Sequence, residues 1–369
     1  MPFTYYPVIR QLQRCGLGLT AVVLPLVLTL GACETPPPVP PAPVVVTPVT
    51  PPPAPVDTAR LERESAFREM VALQDRLYRV AAPILVNNPS LCRHNARNLL
   101  GFTAKNKYSY SSDYVESAQK ILGLDEQLQV TGVMNGSGAD KAGVRNGDKL
   151  VAVNDIPLPQ GQNAEHQAGV ILTPQISEHT SFNLTVNRAG SDISVKVPLT
   201  HACAFIVVLG NTDHVNAYAD GIRVMVTKGM MNTAKSDDEL AYVLATEMAH
   251  NVLGHANKQH MSATIAGVID NLDRIHPDAA NLNGISAFKP STQELDVTTD
   301  RLGLYMAARA GFAIDNAGPF WSRLAAEYPS TVPDSYTATH PVNTYRLTAI
   351  AKVSNEIKSK QAARKSLTP

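Results

Sequence analysis

The stretch that most narrows what this chain can fold into runs from Ser236 to His255: S-D-D-E-L-A-Y-V-L-A-T-E-M-A-H-N-V-L-G-H. Ser236 followed by Glu239 is an S-x-x-E capping box, which satisfies free amides at a helix start. Beyond it, Leu240, Val243, Leu244, Glu247, Asn251 and Gly254 recur at helical spacing and share one face. Glu247 therefore stands in the middle of an otherwise apolar stripe. A carboxylate is costly to bury there unless it has a partner or a task. His250 lies one turn from Thr246, on the adjacent flank.

One residue, Thr246, separates T-E-M-A-H from H-E-x-x-H. In that signature two histidines on one helix hold zinc and the glutamate polarises the attacking water. E-x-x-H alone is a weak signal, and its surroundings strengthen it. Asn216-Ala-Tyr-Ala-Asp-Gly221 precedes a strand at Arg223 to Val226, followed by Gly229-Met-Met and the capped helix. Downstream come Gln293-Glu-Leu-Asp296-Val-Thr-Thr-Asp300, Arg301 to Phe312, and Thr339-His340-Pro341 followed by Arg346. Four separated motifs in this order resemble the HtpX- and BepA-type metallopeptidases, relatives of the CAAX prenyl proteases. The resemblance covers roughly residues 205 to 355 and the leading helix.

Carried over position by position, the resemblance implies His250 as a zinc ligand, Glu247 as general base and Asp300 as a supporting aspartate. Two departures bear on the metal. The first ligand position holds Thr246, whose neutral hydroxyl is a poor donor beside imidazole. The third, a glutamate in the family, is Asp296, shorter by one methylene. Thr299 stands where the family has alanine. Losing a mere supporting partner costs about 10- to 100-fold in affinity or activity, and losing an imidazole ligand costs more. The expectation is zinc bound weakly or not at all. If it binds, His250 and Asp296 need another donor: His340 first, since the resemblance places it at the cleft, and Glu247 next. Without metal, Glu247 needs a cation or donor, with Arg346 one option. His255 and His260 follow His250 by five and ten residues, each step turning about 140° on a helix. They read as surface or interhelical histidines unless the helix ends.

From Val130 to Leu199 the pattern changes to strands. Ala139 and Ala142 fit a short packed helix, Gly143 closes it, and Asn146-Gly147-Asp148 and Asn154-Asp155 are turns. Leu150, Val151 and Val153 continue as a strand. This stretch resembles a PDZ domain, a fold that binds extended peptides by strand addition. Leu122-Gly123-Leu124, just ahead, is read as its carboxylate-binding loop. Thr58 to Val86 reads as a long amphipathic helix, with Leu61, Phe67, Met70, Val71, Leu73, Leu77 and Val80 at its spacing.

The N-terminus reads as an address. Arg10 and Arg14 precede an apolar run from Leu17 to Leu30, too short to span a bilayer comfortably. Leu-Gly-Ala-Cys33 resembles a bacterial lipobox, implying cleavage before Cys33 and lipidation of its thiol. Glu34 favours the outer membrane over the inner. Residues 36 to 56 contain eleven prolines and read as an extended spacer. Cys92 and Cys203 remain as an even pair, expected to form a disulfide in an oxidising compartment. With zero formal net charge, nothing points to nucleic acid as a partner.

The expected fold class is α+β: a mainly helical gluzincin-type metallopeptidase domain with a small edge sheet, plus an inserted β-rich PDZ domain. The expected boundaries are a signal peptide over 1–32, a lipidated cysteine and proline linker over 33–57, a helix and connector over 58–125, the PDZ domain over 126–200 and the peptidase-like domain over 201–367. The expected function is a membrane-anchored, periplasm-facing metalloendopeptidase-like protein acting on envelope or misfolded polypeptides, with hydrolysis impaired at Thr246. Strand Arg223 to Val226 would hold substrate as an added strand. The alternative is a non-catalytic protein that binds extended peptides as chaperone, adaptor or inhibitor.

Overall fold

The computed structural model describes residues 57–255 and 291–369, all in one contact unit. The signal segment, Cys33, the proline-rich spacer and His260 lie outside the described residues.

The leading helix α1 (Thr58–Asn87) is capped by Asp57, whose carboxylate accepts from the Arg60 amide at 3.0 Å. Its buried side carries Phe67, Leu77, Val80, Ala81, Ile84 and Leu85, while Leu61 stays in solvent. Arg76 rivets it to the helical body, donating to Met231 O (2.7 Å), Ala234 O (2.8 Å), Ser236 O (2.9 Å) and Asp237 Oδ1 (3.1 Å). A short α2 (Pro89–Cys92) and β1 (Ala96–Leu99) follow.

Next come β2 (Phe102–Lys105), α3 (Val115–Leu122), β3 (Gln129–Val133), α4 (Gly138–Lys141), β4 (Lys149–Val153), β5 (Ile156–Pro157), α5 (Ala164–Glu178), β6 (Ser181–Arg188) and β7 (Ser191–Pro198). The sheet runs β2-β3-β4-β6-β7, with β5 on β4. Alternate residues Phe102, Ala104, Val130, Leu150 and Leu184 point into one core with Ala168 and Leu172 of α5, as the two-residue strand period requires. The sheet thus begins at Phe102, ahead of the expected boundary at 126. Its opposite face meets α1: a Cβ on Gly132 would touch the Tyr78 ring at 3.0 Å. The chain leaves through β8 (Thr200–Cys203), which pairs antiparallel with β1. Cys92 and Cys203 close this neck as a disulfide, with Cα atoms 5.6 Å apart.

Leu122-Gly123-Leu124 is a helix stop. Gly123 takes the left-handed conformation as the cap of α3. Its amide donates to Gln119 O (3.1 Å) and that of Leu124 to Ala118 O (3.4 Å). Leu124 is buried with Phe67 and Tyr110. With both amides spent on carbonyls, this segment cannot cradle a carboxylate, and its reading as a peptide loop is corrected.

The body contains β9 (Ile206–Gly210), β10 (Ala217–Ala219), β11 (Arg223–Thr227), α6 (Lys228–Thr233), α7 (Asp237–Leu253), α8 (Gln293–Arg309), α9 (Ala317–Glu327), α10 (Tyr336–Thr339) and α11 (Thr344–Ala362). Its sheet has the order β10-β11-β9. Since β11 is paired on both sides, Arg223 to Val226 cannot take an added strand; β10 is an outer strand instead. α7 is buried on every face from Leu240 to Val252, because α1, α8, α9, β10 and β11 all pack on it. The sequence stripe marked one side of a helix that is central.

Candidate metal centre

Four elements bring polar groups to one point inside the body. α7 starts at Ser236, whose hydroxyl accepts from the Glu239 amide at 3.2 Å. The reciprocal contact of the capping box is shifted by one residue: Glu239 Oε2 accepts from the Lys235 amide. α7 places Glu247 and His250 about one turn apart, both below 5% exposure. α8 lies against it so closely that a Cβ on Gly303 would stand 3.0 Å from the Thr246 amide nitrogen. Only glycine allows that approach, which sets Asp296 and Asp300 opposite α7. α10 supplies Tyr336, and His340 follows as its C-cap. α11 supplies Arg346.

Metal-binding atoms of Glu247, His250 and His340 all lie within 4.8 Å of one another. His340 Nδ1 is 2.9 Å from Asp296 Oδ1. A carboxylate accepts, so Nδ1 carries the proton and Nε2 keeps a lone pair. That Nε2 stands 3.9 Å from Glu247 Oε1, too long for a hydrogen bond. His250 Nε2 is 3.9 Å from Asp296 Oδ1. Among the described residues, His250 Nε2 and Asp296 Oδ2 are buried without a hydrogen-bond partner. Two imidazole nitrogens and two carboxylates around unspent buried atoms fit a small divalent cation.

A column of rings supports the cluster. The Arg346 guanidinium lies 5.0 Å from the Trp321 ring centroid. Trp321 stacks on Tyr336 at 5.1 Å, Tyr336 on His340 at 4.7 Å, and His340 meets His250 at 4.8 Å. Tyr336 also donates its hydroxyl to Glu247 Oε1 at 3.0 Å. Arg346 donates to both oxygens of Asp300 and to His340 O.

The electrostatics follow burial. Desolvation pushes the Glu247 carboxyl above its ordinary range, although His340 and Tyr336 pull the other way. Desolvation holds His250 well below the usual imidazole range, helped by His340 and His255. At Asp296 burial also disfavours charge, but the His340 hydrogen bond and Arg346 outweigh it and keep the carboxyl low. At neutral pH the site therefore presents a neutral His250 beside a charged Asp296.

The expected residues Glu247, His250, Asp296 and His340 come together, with Asp300 and Arg346 directly behind them. Arg346 partners Asp300 rather than Glu247. Thr246 is buried on α7 where the first imidazole would stand. Sequence reasoning missed Tyr336, the hydrogen-bond donor to Glu247, and Trp321, the floor of the column; a lone tryptophan and a tyrosine three residues before T-H-P were the only cues. His255 also differs from a surface residue: α7 stops at Leu253, and Gly254 in the left-handed region turns the chain back.

Residues 183–354 match the model of Peptidase family M48, and residues 129–188 match that of the PDZ domain. A Vibrio cholerae protein that carries the name of a beta-barrel assembly-enhancing protease is 30% identical over 198 residues, 48% of this chain and 39% of that protein. The mitochondrial metalloendopeptidase OMA1 of Saccharomyces cerevisiae is 26% identical over 198 residues, 49% of this chain and 57% of that one. The chain thus spans only part of the length of these curated relatives. Among solved structures, the HtrA3 PDZ domain bound to a phage-derived ligand aligns with 28% of this chain and 86% of its own, at 17% identity and a TM-score of 0.22.

Proposed function

For a chain that carries a Peptidase family M48 domain and a PDZ domain, we propose a lipid-anchored protein of the bacterial envelope that holds extended polypeptide and hydrolyses it poorly or not at all. One observation carries this reading: the binding atoms within reach of a common centre are those of Glu247, His250 and His340, with Thr246 in place of an imidazole. A glutamate drawn into the ligand set is not free to take a proton from water.

Glu247, His250 and His340 are the residues that would hold zinc, with the unpartnered Asp296 Oδ2 as a further donor. Bound zinc would supply a Lewis acid for a peptide carbonyl. The chain's own groups do the rest. Tyr336 fixes Glu247, Asp296 fixes the His340 tautomer, and the ring column packs against both histidines. Polypeptide would add as a strand to the outer side of β10, which packs on α7. Burial raises the phenol of Tyr218 on β10, and the carboxylates of Asp334 and then Glu247 add to it.

Among the described residues the corresponding edge in the PDZ module is β2, which pairs with β3 alone and shares its core with α5. The segment Leu100-Gly101-Phe102 opens that strand. A protein tethered at Cys33 and equipped with two strand-accepting edges suits capture of misfolded envelope chains. Among the described residues no helix is long and apolar enough to cross a membrane; the attachment proposed is the lipidated Cys33.

The test is gain of function. The double variant T246H/D296E should take up near-stoichiometric zinc and cleave casein, while the unmodified protein protects unfolded chains from aggregation without cutting them. Chelator-sensitive casein hydrolysis by the unmodified protein would overturn the proposal and favour the active metallopeptidase.

A further inference from the structure

The turn after α7 holds a group that the reading above leaves without a task. The His255 amide donates to His250 O at 3.0 Å, so the chain folds back over the end of the helix. The His255 ring then meets the His250 ring edge to face, with centroids 5.7 Å apart and planes at 67°. It becomes the last member of the ring column. Its Nδ1 lies 3.2 Å from Thr299 Oγ1.

The direction of that last contact can be worked out. A threonine hydroxyl has one proton, and Thr299 donates it to Leu295 O at 2.7 Å. Thr299 Oγ1 can then only accept, so His255 Nδ1 is the donor and Nε2 keeps its lone pair. This is the arrangement by which an outer hydrogen bond prepares an imidazole for a metal. The position that fixes the tautomer is Thr299, and an alanine there could not do so.

We propose that His255 supplies to this centre the imidazole that position 246 lacks, joining His250 and Asp296 as a nitrogen donor to a divalent cation, with Thr299 fixing its tautomer. The inference rests on the metal reading above. At present its ring stands outside the Glu247–His250–His340 set, against the His250 ring. A shift of the ring toward His250 that keeps its bond to Thr299 is the movement required. It would add a third imidazole to those of His250 and His340.

The experiment uses the full chain and zinc alone, with affinity read by competition against a chromophoric chelator. H255A should weaken zinc binding by at least about 10-fold, and T299A by about 10-fold, while T299S retains the wild-type value. The exposed-imidazole variant H94A is the control. Independently, nitrogen-15 histidine spectra of the metal-free protein should show His255 as the Nδ1–H tautomer, lost in T299A. If H255A binds zinc as tightly as the unmodified protein while H250A does not, His255 is no ligand and the metal reading survives. If the unmodified protein takes up no zinc, both fall.

Discussion

Arg346 grips Asp300 at two points, Nε to Oδ2 at 2.6 Å and Nη2 to Oδ1 at 2.9 Å, with both side chains almost wholly removed from water. The pair joins α11 to α8 directly behind Asp296, and the same guanidinium donates to His340 O at 2.9 Å. One buried cation therefore fixes the two backbone segments that deliver Asp296 and His340.

Removing one side of this pair leaves a buried charge alone. R346M is expected to lower unfolding stability by about 3–5 kcal/mol, measured by urea denaturation. The double variant D300N/R346M should recover part of that loss, because no full charge then remains buried. Equal losses in the single and double variants would mean that the contact with Trp321 matters more than the ion pair.

The Arg76 anchor predicts a pH dependence. Burial disfavours the Asp237 charge, yet hydrogen bonds from Arg76 and Arg79 outweigh it and lower the carboxyl below its ordinary 3.8. A carboxyl lowered on folding stabilises above its unfolded pKa, and that contribution fades as pH falls through the folded value. Denaturation midpoints of D237N should therefore lie below wild type from neutral pH down to about 3.8 and converge with it in stronger acid. A difference that stays constant to pH 2 would assign the effect to lost helix capping.

The neck of the PDZ module offers a test by reduction. Cys92 and Cys203 are 111 residues apart and close a loop containing the whole module. For a loop near 100 residues, cross-linking limits the unfolded chain by up to about 4.7 kcal/mol on the entropic account. C92S/C203S should unfold at lower urea. Because β1 and β8 still pair, its circular dichroism before the transition should match wild type.

Much of this was legible because it depends on local rules. The Asn146 and Asn154 turns, the Ala139 helix and the strands from Leu150 onward follow from short-range backbone preference, and they occur where expected. Ser236 caps α7 for the same reason. The centre was legible only in part. Glu247, His250, Asp296 and His340 sit in motifs, whereas Tyr336 and Trp321 matter through packing between α9, α10 and α11, which no spacing encodes. Arg346 was linked to the wrong carboxylate because two acids, Glu247 and Asp300, compete for it in sequence and only the α8–α11 contact decides. Leu122-Gly123-Leu124 misled because a glycine between leucines serves equally well to stop a helix. β2 was missed because a four-residue strand carries little pattern of its own.

That last point can be tested at the edge proposed to bind peptide. Gly101 has a φ of +84°, and a Cβ there would meet Ser137 Cβ at 2.7 Å. G101V should displace the start of β2 and abolish binding of fluorescent peptides with hydrophobic C-termini, read by polarisation. G123A carries a left-handed cap penalty of about 1 kcal/mol in stability but should leave peptide affinity unchanged. Loss of binding in G123A alone would restore the α3 stop as the binding loop.

The close approach of α7 and α8 is the geometric condition for everything at the centre. A Cβ at Gly303 would stand 3.0 Å from Thr246 N, 3.1 Å from Ala245 C and 3.2 Å from Ala245 O. These are backbone atoms and cannot swing aside, so G303A must push the helices apart. The cost expected from overpacking is about 1–3 kcal/mol, and urea midpoints will measure it. The same shift lengthens the 3.9 Å gap between His250 and Asp296, so zinc affinity should fall further than stability alone explains. Placing T246H in the G303A background separates the two effects. An added imidazole on α7 cannot recover affinity if Asp296 on α8 has withdrawn, and recovery to the T246H value would mean that the helices tolerate the methyl without moving the centre.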